Sequence, residues 1–158
     1  MKNKVDPIPK GYHTVTPYLI VRDADKALEF YHKAFGAEEL FRMQHPSGKI
    51  THAEMKIGDS LIMLTEEMPG MHCKSPESLG GSPVFMYLYV NDVDSFAERA
   101  LEAGVKLISP LQDHFYGDRS CALIDPFGHI WHISTHIEDV APEELRQRAE
   151  SLFKQPAK

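Results

Sequence analysis

Cysteine is scarce in this chain: Cys73 and Cys121 are the only two in 158 residues. Their spacing marks neither a disulfide framework nor a zinc pair, so two free thiols in a reducing compartment are expected. Lysine and arginine form no cluster, and the formal net charge is −6. A duplex-wide nucleic-acid surface needs concentrated cations, so no nucleic-acid partner is expected. No apolar run approaches the roughly 18 residues of a membrane helix, so no membrane partner is expected either. The opening residues 1–7 lack the apolar segment of a signal peptide. A cytoplasmic location is the expectation these absences leave. Two catalytic signatures are also missing: there is no glycine-rich phosphate loop and no Gly-x-Ser-x-Gly nucleophile turn.

What is present is an ordinary globular composition. Hydrophobic residues make up 42% and charged residues 25%, which with this length suffices for a core without covalent staples. The chain also repeats one grammar. Tyr18-Leu19-Ile20-Val21 and Tyr87-Leu88-Tyr89-Val90 are aromatic and β-branched runs that read as strands. After each comes an aspartate at a helix N-cap position, Asp23 and then Asp92. Apolar spacing then switches to the helical period. Ala24, Ala27, Leu28, Tyr31 and Ala34 share one face, as do Val93, Phe96, Ala97, Ala100 and Leu101. Gly36 and Gly104 sit where a left-handed cap would end each helix.

Three strand-like segments follow each helix. In the first half they are 38–44, 50–57 and 60–65, with turns at Pro46-Ser47-Gly48 and Gly58-Asp59. In the second half they are 106–115, 119–124 and 129–135, with turns at Tyr116-Gly117-Asp118 and Asp125-Pro126-Phe127-Gly128. The expected class is therefore α+β, as two tandem βαβββ modules in one domain over 1–158. Module one covers 14–66, a linker 67–82, module two 83–136, and a C-terminal helix 142–153. The linker's Pro, Gly, Ser and Met content also fits a mobile flap over a pocket.

These motifs carry a family resemblance. Val21-Arg22-Asp23-Ala24-Asp25-Lys26-Ala27-Leu28-Glu29-Phe30-Tyr31, followed by Phe35-Gly36-Ala37-Glu38, resembles the first module of the glyoxalase/bleomycin-resistance/dioxygenase (vicinal oxygen chelate) superfamily. Asp125-Pro126-Phe127-Gly128-His129-Ile130-Trp131 resembles its second-module ending. With His52-Ala53-Glu54, Ile57-Gly58-Asp59-Ser60 and Tyr116-Gly117-Asp118-Arg119, the pattern is similar to the PhnB-like branch. The resemblance spans about residues 14–136. It implies an open, eight-stranded, cupped barrel with a ligand in the cup, and a homodimer. It does not imply one chemistry, because the scaffold hosts several.

Metal-dependent members of that family bind one divalent ion through four strand-end side chains. Aligned on the motifs, those positions fall on Thr16, Met63, Phe85 and His132. Thr, Met and Phe are poor donors to a divalent cation, and only His132 is a good one. No cofactor is therefore expected. The alternative is one divalent ion in a rearranged site built from His52, Glu54 and His132, three of whose donors alternate onto strand faces.

The candidate ligand-binding residues are His52, Phe85, Tyr116, Arg119 and His132. Arg119 can bind an anionic group bidentately, or else fix its turn by pairing with Asp113, Asp118 or Asp125. Tyr116 can line an aromatic pocket, whereas Trp131 alternates with His132 and is expected in the core. No catalytic residue is assigned. Three readings stay open: a metal-independent small-molecule-binding protein, a metal-dependent lyase, isomerase or dioxygenase, and an interaction module without a ligand.

Overall fold

The computed structural model describes residues 5–70 and 72–154. The first four residues, Met71 of the linker, the side chain of Phe153 and the last four residues lie outside that description, as does the part of the signal-peptide reading that rests on residues 1–4. The chain divides into two units, one ending at Ser82 and the other beginning at Pro83.

The first unit contains β1 (Tyr18–Val21), α1 (Ala24–Phe35), β2 (Glu38–Gln44), β3 (Ile50–Ile57), β4 (Ser60–Glu66) and a short α2 (Pro76–Leu79). Its sheet runs in the order β1-β4-β3-β2. Strand β1 lies parallel to β4, and the other pairs are antiparallel. Asp23 caps α1 by accepting the Lys26 backbone N–H, and Gly36, at φ 67°, ends it. Strand alternation then sends Leu19, Val21, Ala53, Met55, Ile62 and Leu64 to one buried face. Helix α1 covers that face with Ala24, Ala27, Leu28 and Tyr31. Removing these side chains from water is what holds helix to sheet.

The second unit repeats the plan. It contains β5 (Phe85–Tyr89), α3 (Val93–Ala103), β6 (Lys106–Asp113), β7 (Asp118–Ile124), β8 (Ile130–His136) and α4 (Pro142–Phe153). Its sheet order is β5-β8-β7-β6, again with one parallel pair, β5 and β8. Asp92 caps α3 through the backbone N–H groups of Asp94 and Ser95. Val93, Ala97, Ala100, Cys121, Leu123, Trp131 and Ile133 form the buried layer. Trp131 is in the core, as its alternation with His132 requires, and its indole N–H donates to Asp125 at 2.8 Å. The other Asp125 oxygen accepts the backbone N–H groups of Phe127 and His129, both at 2.9 Å. The Asp-Pro-Phe-Gly bend is thus a structural turn organised by one buried carboxylate.

Both connecting segments are tied to their own units. The linker holds α2, and the segment is tied to the first unit. Glu67 accepts the backbone N–H and hydroxyl of Ser75 at 2.8 and 2.7 Å, and Arg22 donates to the Ser78 hydroxyl at 3.1 Å. Helix α4 is tied to the second unit through Arg148, which bonds both Glu138 oxygens, Glu144 and the Phe115 carbonyl.

Candidate functional site

Each sheet has one face under its helix, so the chemistry of interest lies on the opposite face. In the second unit this face is aromatic. Strand β5 alternates, and Phe85, Tyr87 and Tyr89 all point away from the helix. They are 57%, 46% and 65% exposed, respectively. On the neighbouring β8, His132 sits directly opposite Tyr87 in register. Its imidazole stacks between two rings, 5.1 Å from Phe85 and 5.8 Å from Tyr87. Tyr89 continues the row, 5.2 Å from Tyr87.

At the end of that row lies a buried carboxylate. Asp118 opens β7 and is only 3% exposed. It accepts the Tyr89 hydroxyl at 2.8 Å, the Tyr87 hydroxyl at 3.5 Å and His136 Nδ1 at 2.7 Å. His136 Nε2 meets Asp139 at 3.0 Å. Burial alone would raise the Asp118 pKa, but the bonds from His136, Tyr89 and Ser134 outweigh it and hold the carboxyl below its ordinary range. His136 is pushed up by the same bond and by Asp139. The Tyr89 phenol, bonded to Asp118 and partly buried, is pushed up to about 12. The group therefore joins an imidazole whose protonated form is favoured, a carboxyl whose ionised form is favoured and a phenol held protonated.

Tyr116 stands beside this group. Burial raises its phenol, with further contributions from the neighbouring Tyr87 and Asp118, against a lowering bond from Ser120. Its ring stacks on His114 at 4.9 Å. The turn that presents it depends on Gly117, whose φ is 94°. A Cβ there would run into the Glu138 carbonyl oxygen, because the chain at 137–138 crosses over and donates two N–H groups to the Gly117 carbonyl.

Arg119 is placed elsewhere. Its guanidinium grips both Asp94 oxygens at 2.8 and 2.7 Å and Asp113 at 2.8 Å. Asp94 belongs to α3, so Arg119 faces the helix side and fastens the helix to the sheet. Of the partners weighed from the sequence, Asp113 is used, and Asp94 is a partner that sequence proximity does not show. Alternation along β7 puts Asp118, not Arg119, on the aromatic face.

In the first unit the corresponding face holds His52, Glu54, Tyr18 and Phe41. The Tyr18 hydroxyl meets His52 Nδ1 at 2.9 Å, and His52 Nε2 meets Glu54 at 3.2 Å. The Phe41 ring tilts over His52 at 6.3 Å. The Tyr12 hydroxyl is buried next to Glu54, and burial together with that charge lifts it to about 12. Tyr12 and His52 in turn hold Glu54 below the usual carboxylate range.

The positions aligned from the sequence with the resembled family's ligands offer a divalent ion weak donors in Thr16, Met63 and Phe85. Met63 is paired in register with Tyr18 and Glu54, and Phe85 is a stacking partner of the fourth residue, His132. Among the described residues, no group of three or more His, Cys, Asp or Glu side chains is gathered so that it could hold an ion.

Tyr87, Tyr89, Asp118 and His136 are the residues sequence reasoning missed. The i, i+2 aromatic spacing from Phe85 to Tyr89 was a signal for the first two. Nothing local signals that Asp118 is buried.

The family model of the Glyoxalase/Bleomycin resistance protein/Dioxygenase superfamily matches residues 11–133. An uncharacterized protein of Mycobacterium bovis is 41% identical over 135 residues, covering 84% of this chain and 89% of that protein. Among solved structures, TioX from Micromonospora sp. ML1 is 28% identical with a TM-score of 0.63, over 80% of this chain and 100% of that one. The fosfomycin resistance protein FosX of Listeria monocytogenes, solved with Mn(II) and sulfate, has a TM-score of 0.58 over 87% of this chain and 97% of that one. At 21% identity, FosX shares the fold alone.

Proposed function

Because the chain belongs to the glyoxalase/bleomycin resistance protein/dioxygenase superfamily, we propose that it binds a small molecule without the help of a metal ion. The ligand is aromatic or largely apolar and lies on the helix-free face of the second sheet. Phe85 and Tyr87 meet it with their rings, His132 meets it with its ring edge, and Tyr116, Tyr89 and Asp118 supply the polar contacts. On the corresponding face of the first unit, His52 is a separate candidate for a polar ligand contact. Arg119 holds α3 and makes no ligand contact.

One observation carries this reading: three aromatic side chains in a row stand in solvent, two of them already stacked around an imidazole. Contiguous exposed aromatic surface is costly unless something covers it. Each ring that a planar ligand meets contributes about 0.5–1.5 kcal/mol beyond the area it buries. The buried Asp118 beside the row gives direction, since its bonds orient the two phenol groups a ligand would meet.

The competing reading is a metal-dependent lyase, isomerase or dioxygenase using His52, Glu54 and His132. The His52–Glu54 pair favours it. Against it stand the weak donors Thr16, Met63 and Phe85. The PhnB-like assignment rests on the motifs at 52–54, 57–60 and 116–119 alone. Homodimerisation in the cytoplasm belongs to the same reading, and sedimentation equilibrium checks the first part.

Saturation-transfer NMR tests the proposal, using chelator-treated protein and a panel of planar aromatic compounds. Hits are expected whose affinity falls at least tenfold in Tyr87→Ala and in His132→Ala, with Arg119→Gln near wild type. No hit from the panel, or hits indifferent to Tyr87 and His132, would remove the support for it.

A further inference from the structure

We infer a second site in the first unit: a groove that takes a phosphate group. It lies at the end of the sheet where β1 and β4 finish side by side and β3 begins. Val21 is in register with Glu66 there, and the Glu66 carboxylate accepts the Ile50 backbone N–H at 3.1 Å. The groove encloses about 470 Å³, and Arg22, Lys49 and Lys74 line it together with Glu67. These three cations come from the end of β1, the β2–β3 turn and the linker, so folding alone brings them together.

Their state separates them from other cations of this acidic chain. Arg42, Arg119 and Arg148 each bind two carboxylates at 2.5–2.8 Å, with their guanidinium forks filled. In the groove the ion pairs are loose. Lys49 stands 3.7 Å from Glu66, and Arg22 Nη1 stands 3.9 Å from Glu77, both beyond hydrogen-bond reach. Lys74 pairs with no carboxylate among the described residues. Arg22 also gives Nε and Nη2 to the Ser78 hydroxyl at 3.4 and 3.1 Å, so its remaining guanidinium donors and the two ammonium groups are left over on one concave surface.

The groove's own carboxylate is already answered. Glu67 is held down to about 2 by the backbone N–H and hydroxyl of Ser75. Glu67 therefore stays an anion with its oxygens engaged by Ser75, and the lining sets three cations against this one carboxylate. A phosphate offers several acceptor oxygens and up to two charges, which suits one guanidinium and two ammonium groups converging. The volume exceeds a bare phosphate and matches a small phosphate ester. This site shares no residue with the aromatic face of the second unit, so the two proposals stand or fall separately.

Titration of the full chain with inorganic phosphate, followed by ¹H–¹⁵N NMR, tests it. Sodium chloride at matched ionic strength is the control, and phenyl phosphate is the ester arm. Saturable shifts at Arg22, Lys49 and Lys74 are expected, with phenyl phosphate at least as tight as phosphate. Affinity should fall at least tenfold in Lys49→Gln/Lys74→Gln and stay unchanged in Lys33→Gln, an exposed cation of α1 outside the groove. Shifts no larger than those of chloride would overturn the site, as would binding that survives the double substitution with the spectrum still folded.

Discussion

The Tyr89 hydroxyl donates to the Asp118 carboxylate at 2.8 Å, and this bond joins β5 to a strand that is not its neighbour in the sheet. It fixes one end of the aromatic row against a buried anion on that face. Asp118→Asn keeps the shape but removes the charge that Tyr89, Tyr87 and His136 point toward. Charge-assisted bonds of this kind are worth about 1.5–3 kcal/mol. We expect a loss of that order in urea unfolding with an unchanged m-value. A stability equal to wild type would show that the network is not holding the strands.

The same pair sets a pH dependence. Asp118 is held low, so its contribution is complete above the ordinary value of 3.8 and is lost as pH falls through its folded pKa. His136 is held high, so its contribution is complete below 6.5 and is lost as pH rises through its folded pKa. Stability from the pair is therefore expected to be greatest between those two values. The His136 Cε1 proton should titrate above 6.5 by NMR in the native protein and move down in Asp118→Asn. An unchanged midpoint would separate the two groups.

Gly117→Ala should be among the most damaging single-methyl changes in the second unit. The backbone is in the left-handed region, which costs a non-glycine residue about 1–2 kcal/mol, and the new Cβ meets a fixed carbonyl as well. A loss above about 2 kcal/mol is expected in chemical denaturation. Gly48→Ala has a positive φ but open space around it, so it should cost less.

Arg119→Ala separates fastening from binding. Loss of its bonds to Asp94 and Asp113 should increase hydrogen exchange at the start of α3. Ligand affinity on the aromatic face should change by less than about twofold. A large loss of affinity with α3 exchange unchanged would return Arg119 to the site.

Much of the architecture was legible from local pattern. Asp23 and Asp92 mark helix starts, Gly36 and Gly104 mark helix ends, and period-two alternation separates Trp131 from His132. Those signals work because each depends on a few neighbouring residues. The site was legible only in part. His132 and Phe85 could be placed by motif register, but Arg119 and Asp118 are adjacent, and a single step along β7 exchanges helix side for open side. The deciding partners, Asp94 for Arg119 and Tyr89 for Asp118, are each more than twenty residues away. Pairing over such distances is set by packing, which leaves no mark in local spacing. The Arg22–Ser78 bond that helps tie the linker down was hidden for the same reason.

Metal analysis by mass spectrometry decides the central claim most directly, on protein purified without chelator. The account predicts well under one equivalent of any transition metal per chain, and ligand affinity unaffected by EDTA. One tightly held ion per chain, lost on His132→Ala together with ligand binding, would contradict it.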